Sequence, residues 1–218
     1  GVGAIKLNGQ WYGSLIEIYQ DDGYWVKVAE ATALNLGDSY PVNYDADGEV
    51  TYSIEFGNNL ISYPFETSQL LGDALGEAVA YTYAIAGQGM AALNTGTELG
   101  GEDGWAGSLT VFEGGNGYWL VSTNEEDFNF NFNGVADGLS RSEQTSLRTV
   151  PEAFGYHQSD QQAFFFVQNA TINNETLEND DIIIAYNGNV IVGSRYWNGE
   201  LTDIPAIGIG YGGGKIFS

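Results

Sequence analysis

Trp11-Tyr12-Gly13-Ser14-Leu15 returns 94 positions later as Trp105-Ala106-Gly107-Ser108-Leu109. The next landmark keeps the same offset, since Gly23-Tyr24-Trp25-Val26 becomes Gly117-Tyr118-Trp119-Leu120. Two tryptophans and a tyrosine falling twice in one frame mark a repeated structural unit. The lead-ins differ. A long patterned stretch precedes the second copy, and only ten residues precede the first. This asymmetry gives the expectation that the first copy is a partial unit, that Gly1 is a processed or trimmed start, and that a partner supplies what the first copy lacks.

Outward from the repeat, the composition favours strands and turns. Glycine occurs 31 times, aromatics make up 14% of the 218 residues and hydrophobic residues 43%. Tyr, Phe, Thr, Ile and Val suit a pleated surface, whereas Gly and Asn suit turns. So many aromatics separate the chain from a disordered acidic segment. The length accommodates one large all-β domain or two or three small ones.

Twenty-nine acids against six bases give a formal net charge of −23. Six scattered cations do not build the basic face that nucleic acid requires, and an anionic membrane surface is disfavoured on the same ground. A surface this acidic is soluble and attracts cations. Cysteine is absent, which removes disulfides, thiolate metal sites and a cysteine nucleophile. No apolar run reaches the roughly 20 residues needed to span a bilayer as a helix.

Residues 5–40 read as strands joined by turns, with Leu15-Ile16-Glu17-Ile18 and Tyr24 to Val28 alternating about a turn at Asp21-Asp22-Gly23, and Leu34 to Leu36 closing the partial unit. Residues 37–50 read as a linker or hairpin tip. Thr51 to Phe56 alternates, and Asn59 to Phe65 reads as a strand stopped by Pro64. The spacing of Leu71, Ala74, Leu75 and Val79 predicts one short helix over 68–80, capped by Ser68 and weakened by Gly72 and Gly76. Strands follow near 81–86 and 89–93. Phe128-Asn129-Phe130-Asn131-Phe132 has strict period two, with phenylalanines inward and asparagines outward. After a Gly/Ser/Thr-rich connector, strands are expected at Gln162–Val167, Asp181–Tyr186, Val190–Tyr196 and Lys215–Phe217, with Asn187-Gly188 turning a hairpin.

The reading is an all-β chain of tandem small β-sandwich-like modules with one short helix. A partial module spans 1–45, a complete module repeating it 46–134, a linker 135–150 and a second-type module 151–218.

Asn43-x-Asp45-x-Asp47-Gly48, with Glu49 beside it, resembles the front of an oxygen-ligand calcium loop, in which alternate side chains point inward and glycine permits the sharp turn. The twelfth position falls on Ile54, where that loop needs a bidentate glutamate, so an acidic turn competes with a calcium site here. Glu178, Asp180 and Asp181 pose the same choice, and a solvated turn is the plainer reading. His157 is the one histidine, and no nucleophile-elbow motif accompanies Ser159. Asn169-Ala170-Thr171 and Asn174-Glu175-Thr176 are formal glycosylation sequons. Trp11, Tyr24, Trp25, Trp105, Tyr118, Trp119 and Trp197 are the candidate binding or assembly residues. Repeated aromatics serve either as core anchors or as sugar-stacking platforms.

Two stretches carry a resemblance: Asn59 to Phe65 through Trp105-Ala106-Gly107-Ser108-Leu109 to Gly117-Tyr118-Trp119, and Tyr156 to Phe166 with Leu177 to Asp181, Ala185 to Gly188 and Val192-Gly193-Ser194-Arg195-Tyr196-Trp197. They resemble repetitive β-modules of marine bacterial secreted and surface proteins and of marine phage structural proteins. The resemblance implies extracellular, cell-surface or virion architecture without a catalytic site. Related second-type modules carry cysteines after the position of Trp197 and continue further, and this chain departs from both.

The resulting expectation is a non-enzymatic structural or assembly protein: a subunit of a surface filament, fibre or virion appendage. It associates with itself by β-strand complementation, without nucleic acid, membrane insertion or any cofactor other than calcium. The alternative is a calcium-assisted carbohydrate or cell-surface binding module, an adhesin.

Overall fold

The computed structural model describes residues 2–28, 30, 33, 50–96, 104–134, 144–159 and 161–208. The protein is all-β, with one short helix and several small antiparallel sheets.

The first copy folds as a hairpin. β1 (Ala4–Leu7) and β2 (Gln10–Gly13) pair antiparallel through a tight turn at Asn8-Gly9, both of positive φ. Asn-Gly is the natural pair for a two-residue turn that needs positive φ twice. The expected strands at 15–18 and 24–28 do not form. Their alternation is real, but among the described residues no strand pairs with them to complete a ladder. Asp21-Asp22-Gly23 is a bridge rather than a turn. Asp22 pairs with Ile61, the Gly23 amide donates to the Leu60 carbonyl at 3.1 Å, and Ser62 donates its hydroxyl to the Gln20 carbonyl.

The central module holds the main core. β3 (Tyr52–Ile54) and β4 (Gly57–Ser62) lead to β5 (Gln69–Leu70), helix α1 (Leu71–Leu75) and a 3₁₀ turn over Gly76–Tyr81. β6 (Thr82–Ala86), β7 (Ala91–Asn94), β8 (Trp105–Gly107), β9 (Val111–Phe112), β10 (Gly117–Ser122) and β11 (Phe128–Phe130) follow. The five-stranded sheet runs β4-β10-β6-β7-β8, while β3 pairs β11 and β5 pairs β9. Leu120, Ile85 and Ala92 lie side by side across it and face the core. Tyr52, Tyr63, Phe112, Phe130 and Phe132 fill the opposite layer with interlocked rings 5.0–5.4 Å apart. Offset and edge-on packing of this kind adds to the area that each ring buries.

The helix is shorter than the apolar spacing predicts. Gly76, at φ 54°, ends the α-helical hydrogen bonding, and no side chain caps the start at Leu70. Asn133 seals the end, donating its backbone N–H to the Ala74 carbonyl at 2.9 Å and its amide to the Asp73 carbonyl at 2.8 Å. Leu71, Ala74 and Leu75 are buried as their spacing requires.

In the second-type module β12 (Gln162–Val167) pairs with β17 (Thr202–Ile207), β15 (Ile182–Asn187) with β16 (Val190–Tyr196), and the short β13 (Thr171–Ile172) with β14 (Glu175–Thr176). The β15–β16 turn is centred on Gly188-Asn189, and Gly188 alone takes positive φ, so Asn187 closes the strand instead of entering the turn. β17 was not anticipated. Asp203 and Pro205 interrupt its apolar pattern, yet both are essentially buried. Pro205 sits where Gly193 leaves room, since a Cβ on Gly193 would strike the Pro205 carbonyl. The expected elements at 34–36 and 215–217 lie outside the described residues, as does most of the 37–50 linker.

Candidate interaction site

The repeat is structural as well as sequential. β7–β8 reproduces β1–β2 residue for residue: Ala4, Ile5 and Lys6 face Gly13, Tyr12 and Trp11, while Ala92, Leu93 and Asn94 face Gly107, Ala106 and Trp105. Gly13 and Gly107 adopt positive φ of 141° and 120°, and a Cβ on either would strike the facing backbone carbonyl, of Gly3 or of Ala91. That double requirement accounts for glycine in both motifs. Leu15 donates its amide to the Gly3 carbonyl at 3.2 Å, and Leu109 donates to the Ala91 carbonyl at 3.1 Å. The hydroxyl of Tyr24 accepts from the Tyr19 amide at 2.9 Å, matched by Tyr118 and the Glu113 amide at 2.8 Å.

The environments differ. In the second copy β6 pairs with β7 and β10 lies beyond it. Leu109, Tyr118 and Leu120 are at most 3% exposed. In the first copy β1 has no strand on its outer edge among the described residues. Ile5, Trp11, Tyr12, Ile16, Ile18 and Val26 are each more than half exposed.

The site of the second copy receives the second-type module. Asp203, 1% exposed, points into the motif. Its Oδ2 accepts from the Ser108 hydroxyl at 2.7 Å and from the Ala91 amide at 3.2 Å, and lies 3.3 Å from an Arg195 guanidinium nitrogen. Arg195 also donates to the Asp203 carbonyl at 2.8 Å and to the Gly89 carbonyl at 2.6 Å. Both charges are therefore fully partnered, as burial demands. Burial pushes the Asp203 carboxyl above the usual carboxylate range, against the pull of Arg195, Ser108 and the Ala91 amide. Gln162 adds reciprocal bonds to Gly87 and Gly89.

Between the modules lies a cleft of about 420 Å³, bordered by Tyr83, Trp119, Val121, Phe164, Phe166 and Gln162. Another, of about 320 Å³, is bordered by Ser108, Arg148, Tyr196, Trp197 and Asp203. At its rim Arg148 stacks 3.8 Å over Tyr196 and pairs with the exposed Asp180 at 3.0 Å.

The candidate aromatics are dispersed. Trp11 is 68% exposed on β2, with Lys6 over its ring at 5.7 Å, and Trp25 is 38% exposed. Tyr24 is half-buried. Trp105 packs partly on the main core, where its indole N–H has no partner. Tyr118 is buried against Phe112, Trp119 borders the larger cleft, and Trp197 is buried at the smaller one. Asn43, Asp45, Asp47 and Glu49 lie outside the described residues. His157 is exposed, and Asp181 accepts from the Glu178 amide at 2.8 Å, closing a turn. The Arg195–Asp203 pair was missed. Its signal was a charge in each of two apolar strand runs, which within a core calls for a partner.

The fold and site define an all-β protein in which one repeat copy is docked by a neighbouring module and the other, among the described residues, is not. Comparison with protein-family models, curated proteins and solved structures finds no match for the chain.

Proposed function

We propose that this chain is a non-enzymatic structural protein, a self-associating subunit of an extracellular filament, fibre or virion appendage. One observation carries the reading. Among the described residues β1 presents an unpaired edge, and the first copy exposes Ile18 and Val26, whose counterparts Phe112 and Leu120 are buried. A free edge beside exposed apolar side chains is a site for strand addition. In the second copy β6 fills the corresponding edge, pairing Ile85 with Ala92 and Ala86 with Ala91. A strand from a second subunit set against Gly3 to Ile5 would complete the first copy in the same way. The resemblance to surface and virion modules agrees with this role. Sedimentation across a concentration series and electron microscopy test it: multi-subunit species are expected, and a lone monomer at every concentration would refute it.

The adhesin reading has one observation in its favour, the aromatic cleft at Trp119, whose size and mixed lining suit a sugar. Tryptophan fluorescence against a glycan panel, with and without chelator, tests it. Silence under every condition removes it.

A further inference from the structure

Each chain carries two copies of the hairpin motif and, among the described residues, one module, which docks on the second copy. We infer that the site on the first copy receives the Asp203-bearing face of the second-type module of another copy of this chain, once that face has left its own second copy, linking subunits head to tail. The inference rests on the assembly reading and names the contact within it.

The argument is one of equivalence. Where Ala91 and Ser108 donate to Asp203, the first copy places the Gly3 amide and the Ser14 hydroxyl. Those two groups hold only one another, at 3.3 Å, and both residues are exposed. Gly13 matches Gly107, beside which Phe166 docks, the ring edge lying 3.0 Å from where a Cβ would stand. The hairpin register that sets these groups apart is the same in both copies. Two converging donors on a positive-φ glycine turn suit a carboxylate, and the chain supplies that carboxylate, already partnered with its arginine.

Within one molecule the module sits on its own second copy, favoured by the high effective concentration of a tethered partner. Weakening that site should release the module to the first copy of a neighbour. Like-charge repulsion in so acidic a chain opposes the transfer at low salt, and added salt relieves it.

The test is sedimentation of the full chain at high ionic strength, with circular dichroism as the check on folding. Ser108→Asp sets a second carboxylate against Asp203 and should raise the multi-chain fraction above that of the unmodified chain. Adding Ser14→Asp should weaken that association about tenfold or more, the worth of a lost charge-assisted hydrogen bond. A folded Ser108→Asp variant that associates no more than the unmodified chain overturns the inference, as does association indifferent to Ser14→Asp. If Ser108→Asp does not fold, Ser108→Ala replaces it under the same two criteria. Self-association of the unmodified chain, measured in parallel, judges the assembly reading separately. If the unmodified chain associates while the Ser14 substitution has no effect, the assembly reading survives and this contact does not.

Discussion

Gly23 and Gly117, equivalent residues of the two repeats, pack against each other, and a Cβ added to Gly117 would lie 3.3 Å from the Cα of Gly23. Both crowd the Ile61 carbonyl, which would stand 2.8 Å from a Cβ on Gly23 and 3.5 Å from one on Gly117. β4 thus receives the second copy along its full register through β10, and the first copy through the single bridge at Asp22. The two repeats are fastened at one strand.

Gly23→Ala should unfasten them. Its methyl group would meet the Ile61 carbonyl at 2.8 Å and the Leu60 side chain at 2.9 Å, so the backbone must move. We expect a cost of about 1–3 kcal/mol, in the range of overpacking. Hydrogen exchange should accelerate at the Gly23 and Ser62 amides while Leu120 stays protected. Unchanged exchange at Ser62 would contradict the picture.

Asp203→Asn should be among the most damaging single substitutions in the second-type module. It leaves the buried Arg195 without its counter-charge, and breaking such a pair costs about 3–5 kcal/mol. Denaturant unfolding of the two chains at neutral pH measures the loss. A cost below about 1 kcal/mol would mean that Arg195 does not depend on this carboxylate.

The same substitution at the two motif serines should give unequal results. Ser108→Ala removes a partly buried donor to a carboxylate, worth about 1.5–3 kcal/mol. Ser14→Ala removes an exposed contact and should leave monomer stability within about 0.5 kcal/mol. Thermal melts of the two variants at one dilute concentration make the comparison.

Phe112→Ala empties the centre of the aromatic layer, where the ring is fully buried against Tyr63, Tyr118 and Phe132. A loss of about 3–5 kcal/mol is expected. Tyr118→Phe keeps the ring, deletes the bond from the Glu113 amide, and should cost about 1 kcal/mol. Equal losses for the two variants would mean that the hydroxyl, and not the packing, holds this region.

Much of the fold was legible in local pattern. The strands expected at Gln162–Val167 and Val190–Tyr196 form over those residues, and the alternation from Thr51 to Phe56 yields the shorter strand Tyr52–Ile54. The apolar spacing finds α1 although Gly76 halves its length. Legibility failed where the pattern depends on a neighbour. Ile16 and Ile18 alternate like a strand but pair with no strand among the described residues, whereas β17 looks like a loop until β12 and Gly193 enclose it.

The sequence alone determined the repeat, the glycines that its tight hairpins require, and the strand periodicity, because these follow from backbone sterics and side-chain alternation within a few residues. Tertiary structure decided which copy is covered. Ser14 and Ser108 stand in matching Trp-x-Gly-Ser-Leu blocks, and the approach of Asp203 from 95 residues further along makes one a partly buried partner while the other is exposed. Burial is a property of what arrives from elsewhere in the chain, so two copies of one motif take on different roles.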